Sequence, residues 1–384
     1  MPPLSSCRRA RLFLLLLGAA TPLAAQTPPR LPITREVLVP AERANLTEIG
    51  TTLLLRNGDL IMTQYREGVV RRFDRSGAPT VIGRKGEGPS EFQMPTIAGT
   101  VGDSLWIGDV RLRRTTFFRP DRTLLRTVPY PDAAKASGNG VRWQMVMPLA
   151  YLRNGVLLAD GWHDPVAARP AWATPTEWSG SAILRLAASG VMQRVVAWLP
   201  TSNCSETVPV KGGEVIVRIP FCTGTPRHID PESGRIALAL ASAGGTRLVV
   251  LSALGDTLFT KLLRIPPVAI PKSQRDSASR AEAERNGVGG AAFEKAMARI
   301  PTVHPAVARI LNGRDGSLWI EVASPGVDRV WQLLDARGNV LGAVTLPGAV
   351  QLAVAERGML WGVESDEDGL MQVVGFRVGA ASRR

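Results

Sequence analysis

The heptapeptide Arg314-Asp315-Gly316-Ser317-Leu318-Trp319-Ile320 is a polar turn with glycine that runs into an apolar strand. Asp-Gly and Asn-Gly pairs accept the positive φ that tight hairpin turns need, and the apolar runs on either side supply two strands. This heptapeptide and five similar segments occur along the chain, at residues 56–62, 101–107, 153–158, 232–238, 314–320 and 356–361. This repetition predicts one supersecondary unit that is used six times.

A second set of turns doubles the number of hairpins. These turns end one strand and begin another at residues 73–77, 186–190, 251–255 and 334–338. The spacing is 44 residues between the first two repeat glycines and 42 between the last two, which matches the roughly 40 to 50 residues of a propeller blade. The repeat pattern therefore predicts an all-β fold for residues 26–384. We expect a single six-bladed β-propeller domain with four-stranded antiparallel blades. Trp106, Trp319 and Trp361 take equivalent places in their repeats and are expected to pack between blades.

The two ends of the chain predict how the ring closes. The last repeat supplies only three strands, while residues 33–39 read as a strand without a blade of its own. Pairing this N-terminal strand with the last blade would remove the exposed edges of an open array. Residues 271–301 predict the one helical insertion, because Phe293, Met297 and Ile300 recur at helical spacing. We expect this segment to be a helical flap on the propeller surface.

The first 25 residues have the order of a secretory signal peptide. Arg8, Arg9 and Arg11 precede an apolar run that begins at Leu12, and small residues end the segment at Ala25. The run is about half of the roughly 20 residues that a spanning helix needs, which favours a cleaved leader over a membrane anchor. We expect cleavage near Ala25 and a periplasmic or secreted mature protein without a membrane span.

The charge and cysteine content narrow the choice of partners. The leader carries three arginines and no acids, so the mature chain keeps 43 basic and 33 acidic side chains. These arginines are scattered rather than grouped in basic runs with aromatics, and we predict a monomer that does not bind nucleic acid. Cys7 leaves with the leader. Cys204 and Cys222 then predict a disulfide, as in other exported proteins, with two buried thiols as the alternative.

The loop Gly83-Arg84-Lys85-Gly86-Glu87-Gly88-Pro89-Ser90-Glu91-Phe92 resembles the inter-blade loop of NHL-repeat-like and TolB-like six-bladed β-propellers. The resemblance covers nearly all of the mature chain. It is strong in the first, second and fifth blades and weak in the third and fourth. It implies a fold and only loosely a function, since such rings serve as binding platforms, lactonases and lyases. A phosphate-binding loop is disfavoured because nothing helical follows Phe92.

Three carboxylates follow the second strands of their predicted blades: Asp109, Asp160 and Glu321. If they converged on the central channel, they could hold a divalent cation such as calcium, as the resemblance implies for lactonase-type propellers. The alternative is that each lies in a solvated turn. The other ligands expected of that group are not evident in the sequence, so the leading interpretation includes no metal and no other cofactor.

Basic and aromatic side chains gather at one predicted end of the ring. In a four-stranded blade, the loop entering the first strand and the loop joining the second to the third lie on the same side. These loops carry Arg84, Lys85, Arg111, Arg113, Arg114, Arg142, Trp162, His163 and His304. Arginine forks suit carboxylates or phosphates and tryptophan faces suit sugars, although solvated loop charge is the plainer interpretation.

The leading functional hypothesis is therefore a non-catalytic module with a basic, aromatic-bearing channel mouth. Its partner would be a small anionic or sugar-like ligand, or a protein. The alternative hypothesis is a metal-assisted lactonase-type hydrolase or a lyase that acts at the central channel. No G-x-S-x-G motif and no recognisable Ser-His-Asp context occurs in the chain, so the sequence identifies no catalytic residue.

Overall fold

The structure is a computed structural model that describes residues 28–138, 140–163, 181–200, 204–365 and 368–380. The predicted signal peptide and its cleavage site lie outside these residues. Within the described ranges, no helix has the length and apolar character needed to cross a bilayer.

The first half of the chain forms the closing strand and three blades. The closing strand β1 (Ile33–Val39) precedes a short helix, α1 (Ala41–Ala44). Blade 1 contains β2 (Ile49–Leu54), β3 (Leu60–Gln64), β4 (Val69–Phe73), β5 (Pro79–Lys85) and a short parallel β6 (Glu91–Phe92). Blade 2 contains β7 (Pro95–Val101), β8 (Ser104–Asp109), β9 (Arg114–Phe118) and β10 (Leu124–Pro129). Helix α2 (Ala133–Ala136) leads to blade 3, with β11 (Trp143–Tyr151), β12 (Leu157–His163), β13 (Ser181–Leu186) and β14 (Met192–Leu199).

The second half supplies a separate hairpin, two helices and three blades. The hairpin β15 (Ser205–Val210) and β16 (Gly213–Arg218) precedes blade 4, with β17 (Arg227–Ile229), β18 (Ile236–Ser242), β19 (Gly245–Leu251) and β20 (Thr257–Leu263). Helices α3 (Lys272–Asn286) and α4 (Ala291–Met297) follow. Blade 5 contains β21 (Val307–Asn312), β22 (Leu318–Val322), β23 (Arg329–Leu334) and β24 (Val340–Leu346), and blade 6 contains β25 (Gln351–Ala355), β26 (Met359–Ser365) and β27 (Met371–Val378).

Strand β1 completes blade 6 and closes the ring, which confirms the six-bladed prediction. It pairs antiparallel with β27, placing Ile33 opposite Val378 and Val37 opposite Val374. Val39, at the end of β1, is only 1% exposed and packs in a cluster shared by blades 6 and 1. The first and last strands of the ring therefore belong to one sheet, and the chain ends hold the circle together.

The first strand of each blade is the innermost one. Strand β2 contacts both β7 and β25, and β21 contacts both β17 and β25. We call the end of the ring where these inner strands terminate the first-turn end, and the opposite end, where one blade connects to the next, the connection end. The registers of blade 1 place Leu54, Leu60 and Phe73 at the first-turn end.

The equivalent tryptophans pack between blades, as predicted. Trp106 of blade 2 is fully buried and meets the ring of Tyr151 in blade 3 edge-on, with 5.2 Å between the ring centroids. Trp319 of blade 5 is also fully buried and shares a cluster with Leu352 of blade 6. Trp361 is half-buried and packs against the cluster that joins blades 6 and 1.

The connections on either side of blade 4 form an accessory unit, made of residues 204–222 and 272–300. Phe293 and Met297 of α4 pack on Val208 and Val217 of the β15–β16 hairpin. The carboxylate of Glu282 in α3 is buried and accepts a hydrogen bond from the backbone N–H of Arg218 at 2.8 Å. The helical flap is thus present, but its apolar face packs on a hairpin that lies far away in sequence.

The predicted disulfide is also present. Cys204 and Cys222 are bonded, and their α-carbons lie 5.2 Å apart, within the usual range for such bridges. It brackets β15 and β16, which form their own two-stranded sheet and are not part of blade 4. The bridge therefore fastens the accessory unit.

The double variant Cys204→Ser/Cys222→Ser is expected to loosen the accessory unit and leave the ring folded. The bridge closes a loop of about 19 residues, which the chain-entropy model equates with roughly 3 kcal/mol for the unit that contains it. Hydrogen–deuterium exchange should accelerate in residues 205–218 and change little in β17–β20. Equal loss of protection in the blade 4 strands would contradict the separation between accessory unit and ring.

Candidate functional site

Two arginines predicted for ligand binding hold the glycine-rich loop in place. The Nε of Arg84 lies 3.1 Å from a carboxylate oxygen of Glu91 in the same loop. Arg114 reaches the loop from blade 2 and donates to the backbone carbonyls of Glu87 at 2.9 Å and Glu91 at 3.0 Å. These guanidinium groups already have partners, so their local role is to fix the connection between blades 1 and 2.

The other predicted binding residues lie at the connection end, as expected from the loop order. They are spread over blades 1, 2, 3 and 5: Lys85 on β5, Arg111 and Arg113 between β8 and β9, Arg142 before β11, Trp162 and His163 at the end of β12, and His304 before β21. Trp162 is 42% exposed. His304 meets the ring of Phe221 in the accessory unit edge-on, with centroids 5.5 Å apart. The structure thus places these side chains at one end without assigning them a ligand.

Asp109, the first of the three candidate metal ligands, organises the backbone at this end. It is completely buried and accepts four backbone N–H groups, from Gln93 at 2.6 Å, Met94 at 3.0 Å, and Arg111 and Leu112 at 2.9 Å each. Both carboxylate oxygens are engaged in this way. Asp109 therefore joins the loop entering blade 2 to the turn between its second and third strands.

The other two carboxylates have arginine partners. Asp160 contacts Arg227 of blade 4 at 2.7 Å, and Glu321 contacts Arg329 within blade 5 at 2.9 Å. Burial raises the pKa of the Asp160 carboxyl, although the Arg227 guanidinium opposes that shift. Among the described residues, no group of three or more His, Cys, Asp or Glu side chains could hold a metal ion. The convergence on which the metal hypothesis rested is not observed there, because each carboxylate serves contacts near its own blade.

A cavity lies on the ring axis, toward the first-turn end. Its volume is about 270 Å³, and all six inner strands line it. Much of its wall is apolar, including Leu53, Ile97, Leu149, Leu311 and Val354. Because the cavity lies toward the end opposite to the predicted mouth, it is a site that the sequence interpretation did not anticipate.

Two side chains from neighbouring blades add polarity to this wall. The backbone N–H of Asn312 donates to Nδ1 of His228 at 3.1 Å, and the Asn312 side-chain amide donates to the His228 carbonyl at 3.0 Å. Burial lowers the pKa of His228 to about 4, so the ring is neutral at pH 7. Since Nδ1 accepts a hydrogen bond, the proton is assigned to Nε2, which makes that nitrogen a donor.

Asn312 has an unused acceptor. The residue is 9% exposed, and its side-chain oxygen has no hydrogen-bond donor among the residues that the structure describes. A buried polar atom without a partner is uncommon and often marks the place of a bound water or ligand. The His228–Asn312 pair therefore gives a largely apolar cavity a localised polar element.

A set of equivalent positions surrounds the cavity mouth. Each lies two residues before a repeat glycine, and we call the set the rim ring: Arg56, Thr100, Arg153, Glu232, Arg314 and Glu356. Arg56 forms an ion pair with Glu232, and Arg314 contacts Glu356 at 2.7 Å. In the sequence, these segments indicate turns. Their charged residues at a fixed distance from the glycine were the signal that could have revealed the rim.

Comparison with known proteins adds little beyond the fold. No protein-family model matches the chain, and no curated protein matches it in sequence. Among solved structures, a DUF4221 family member from Bacteroides vulgatus is similar at 11% identity, covering 93% of this chain and 100% of its own, with a TM-score of 0.49. A gluconolactonase from Xanthomonas campestris is similar at 12% identity, with 91% and 94% coverage and a TM-score of 0.43.

A third solved structure is an inactive variant of virginiamycin B lyase from Staphylococcus aureus. It is similar at 11% identity, covers 90% of this chain and 99% of its own, and has a TM-score of 0.42. At these identities and TM-scores, the similarity concerns the fold and not the ligand or the reaction. The chain is a six-bladed β-propeller whose inner strands enclose an axial cavity beneath a charged rim.

Proposed function

We propose that this protein is an exported, non-catalytic binding module of the NHL-like or TolB-like propeller type, with a small ligand seated in the axial cavity. The observation that carries the proposal is the cavity itself, whose mostly apolar wall carries a neutral His228 and an Asn312 oxygen that has no donor in the described part of the chain. Pockets for small molecules are typically apolar with a few placed polar groups. The leader-like N-terminus and the Cys204–Cys222 bridge support export, since disulfides persist in oxidising compartments.

The chemistry of His228 favours binding over proton transfer. A general base works best when its pKa lies near the operating pH, whereas burial lowers the pKa of His228 to about 4. Asp230 opposes that shift and the Arg309 guanidinium adds to it. At neutral pH, the ring therefore serves as a hydrogen-bond donor. A donor beside a free acceptor suits a ligand hydroxyl or amide.

The cavity size limits the ligand. A volume of about 270 Å³ is close to the lower end of the roughly 300 to 1,000 Å³ found for ligand pockets. This space suits a molecule of amino-acid or monosaccharide size. A protein partner could contact the outer faces of the ring but could place only one side chain inside the cavity.

Filling the cavity should abolish small-ligand binding. Ala353 of β25 lines the cavity, and Ala353→Phe would place an aromatic ring in that space. We expect at least a tenfold weaker affinity for any ligand found by thermal-shift screening of amino acids, monosaccharides and small carboxylic acids. The control is Ala336→Phe, which puts the same ring on an exposed turn of blade 5.

Two results would contradict the proposed function. If every ligand found in the screen bound Ala353→Phe as tightly as the wild type, the site would lie elsewhere. If incubation with the purified protein changed the mass of a ligand found in the screen, the protein would be an enzyme. Recovery of unchanged ligand, together with binding lost only in Ala353→Phe, is the expected result.

A further inference from the structure

The ion pair between Arg56 and Glu232 spans the mouth of the axial cavity. Arg56 belongs to the first turn of blade 1 and Glu232 to that of blade 4, which are opposite blades in a ring of six. The two side chains are 61% and 24% exposed. Exposed ion pairs of this kind contribute little to stability, so a charged ligand can replace either partner at small cost.

A further cation lies on the same rim. Arg153, from the equivalent turn of blade 3, is exposed, and no ion pair involving it is present among the described residues. It lines the rim depression together with Asp230 and Glu232 of the neighbouring blade 4. The mouth therefore presents cations and anions side by side. The net charge of the protein does not predict which ligand charge the mouth prefers.

We propose that the rim ring, together with Asp230 beside it, binds both charges of a zwitterionic ligand, an α-amino acid whose side chain ends in an amide or hydroxyl, and that this side chain enters the axial cavity. The inference rests on the proposed function and adds the ligand class. The carboxylate would pair with Arg56 and Arg153. The ammonium group would pair with Glu232 and Asp230.

A zwitterion is a better ligand than a simple ion because it gives both Arg56 and Glu232 a new partner of opposite charge. A ligand with only a carboxylate would take Arg56 and leave Glu232 without its partner, and a ligand with only an ammonium group would leave Arg56 alone. A zwitterion replaces both halves of the pair at once. Because Arg56 and Glu232 are in contact, the two ligand charges must be close together, as they are on the α-carbon of an amino acid.

The cavity below the rim determines which amino acids fit. Glu232 and Arg314 of the rim also line the axial cavity, whose wall continues through Leu54 and Val354. A ligand held by its charges at the mouth would direct its side chain along this apolar wall, and an amide or hydroxyl at its end would meet the His228–Asn312 pair. Burial of apolar area stabilises such a complex by roughly 25 cal/mol per Å² before the costs of association.

Isothermal titration with three related probes tests the inference. L-glutamine carries both charges, N-acetyl-L-glutamine carries only the carboxylate, and L-glutamine methyl ester carries only the ammonium group. We expect L-glutamine to bind at least tenfold more tightly than either blocked form. Arg56→Gln and Glu232→Gln should each weaken L-glutamine binding at least tenfold. The control is Arg377→Gln, which breaks the exposed ion pair of β27 with Glu36 on the outer strand β1.

The outcomes separate this inference from the proposed function. If L-glutamine and the uncharged N-acetyl-L-glutamine methyl ester bind equally, and Ala353→Phe abolishes both, the cavity function stands and the zwitterion inference is wrong. Absence of binding by L-glutamine, L-asparagine and L-threonine would also overturn the inference. If no molecule in the screen depends on Ala353, both proposals fail.

Discussion

Deletion of residues 26–40 should lower the free energy of unfolding by several kcal/mol and broaden the unfolding transition. The deletion removes β1 and leaves β27 as an open edge, because β27 pairs with β1 from Val373 to Val378. It also removes Val39 from the cluster shared by blades 6 and 1. A loss of this size is a large fraction of the roughly 5 to 15 kcal/mol that stabilises a typical domain.

Point variants in β1 test the contribution of this strand to stability without shortening the chain. Urea denaturation measures the free energy of unfolding of each variant. Val39→Ala removes two methyl groups from a side chain that is 1% exposed, and Val37→Ala removes the same groups from one that is 43% exposed. We expect a loss of about 1–3 kcal/mol for the first and little change for the second. An unchanged melting temperature after deletion of residues 26–40 would refute ring closure by β1.

The second large effect concerns pH. The free energy of unfolding should fall as pH decreases from about 6.5, the pKa of an unperturbed histidine, to about 4, the pKa of His228 in the fold. In that window the unfolded chain binds a proton that the folded chain does not, so stability rises with pH and is lost on acidification. Below pH 4, protonation of His228 lowers the free energy of unfolding by about 3 kcal/mol relative to its value above pH 6.5.

Substitution of His228 isolates its contribution from those of the carboxylates. Asp59, for example, has a lowered pKa because Arg72 and Asn57 donate to it, although burial opposes the shift, and it also loses stabilising contacts in acid. His228→Asn keeps an acceptor for the Asn312 N–H and cannot titrate. We expect a shallower slope of unfolding free energy against pH in this variant than in the wild type. Identical slopes for the wild type and His228→Asn would contradict the lowered pKa of His228.

The fold was predictable because its signals are local. A turn such as Asp315-Gly316 specifies its own hairpin, and the recurrence of that turn shows how many blades follow. Ring closure also followed from the sequence, since β1 had no blade and the last repeat lacked a strand. The contact between α4 and the β15–β16 hairpin was not predictable, because it joins Val217 to Met297 across an entire blade.

The site was less predictable because the sequence does not show where along its axis the ring leaves space. The width of the channel depends on how side chains from six inner strands meet, and Ala98, Leu149 and Asn312 line the cavity from three different blades. At the connection end, residue type alone does not show which groups a side chain contacts. Asp109 and Arg114 resemble binding residues in the sequence, but in the structure they hold backbone groups of loops.

The most direct test of the account is a crystal structure of the protein with the tightest-binding molecule from the screen. We predict electron density for that molecule in the axial cavity, within hydrogen-bond distance of His228 Nε2 or the side-chain oxygen of Asn312. Density at the connection end instead, beside Trp162 or His304, would contradict the account.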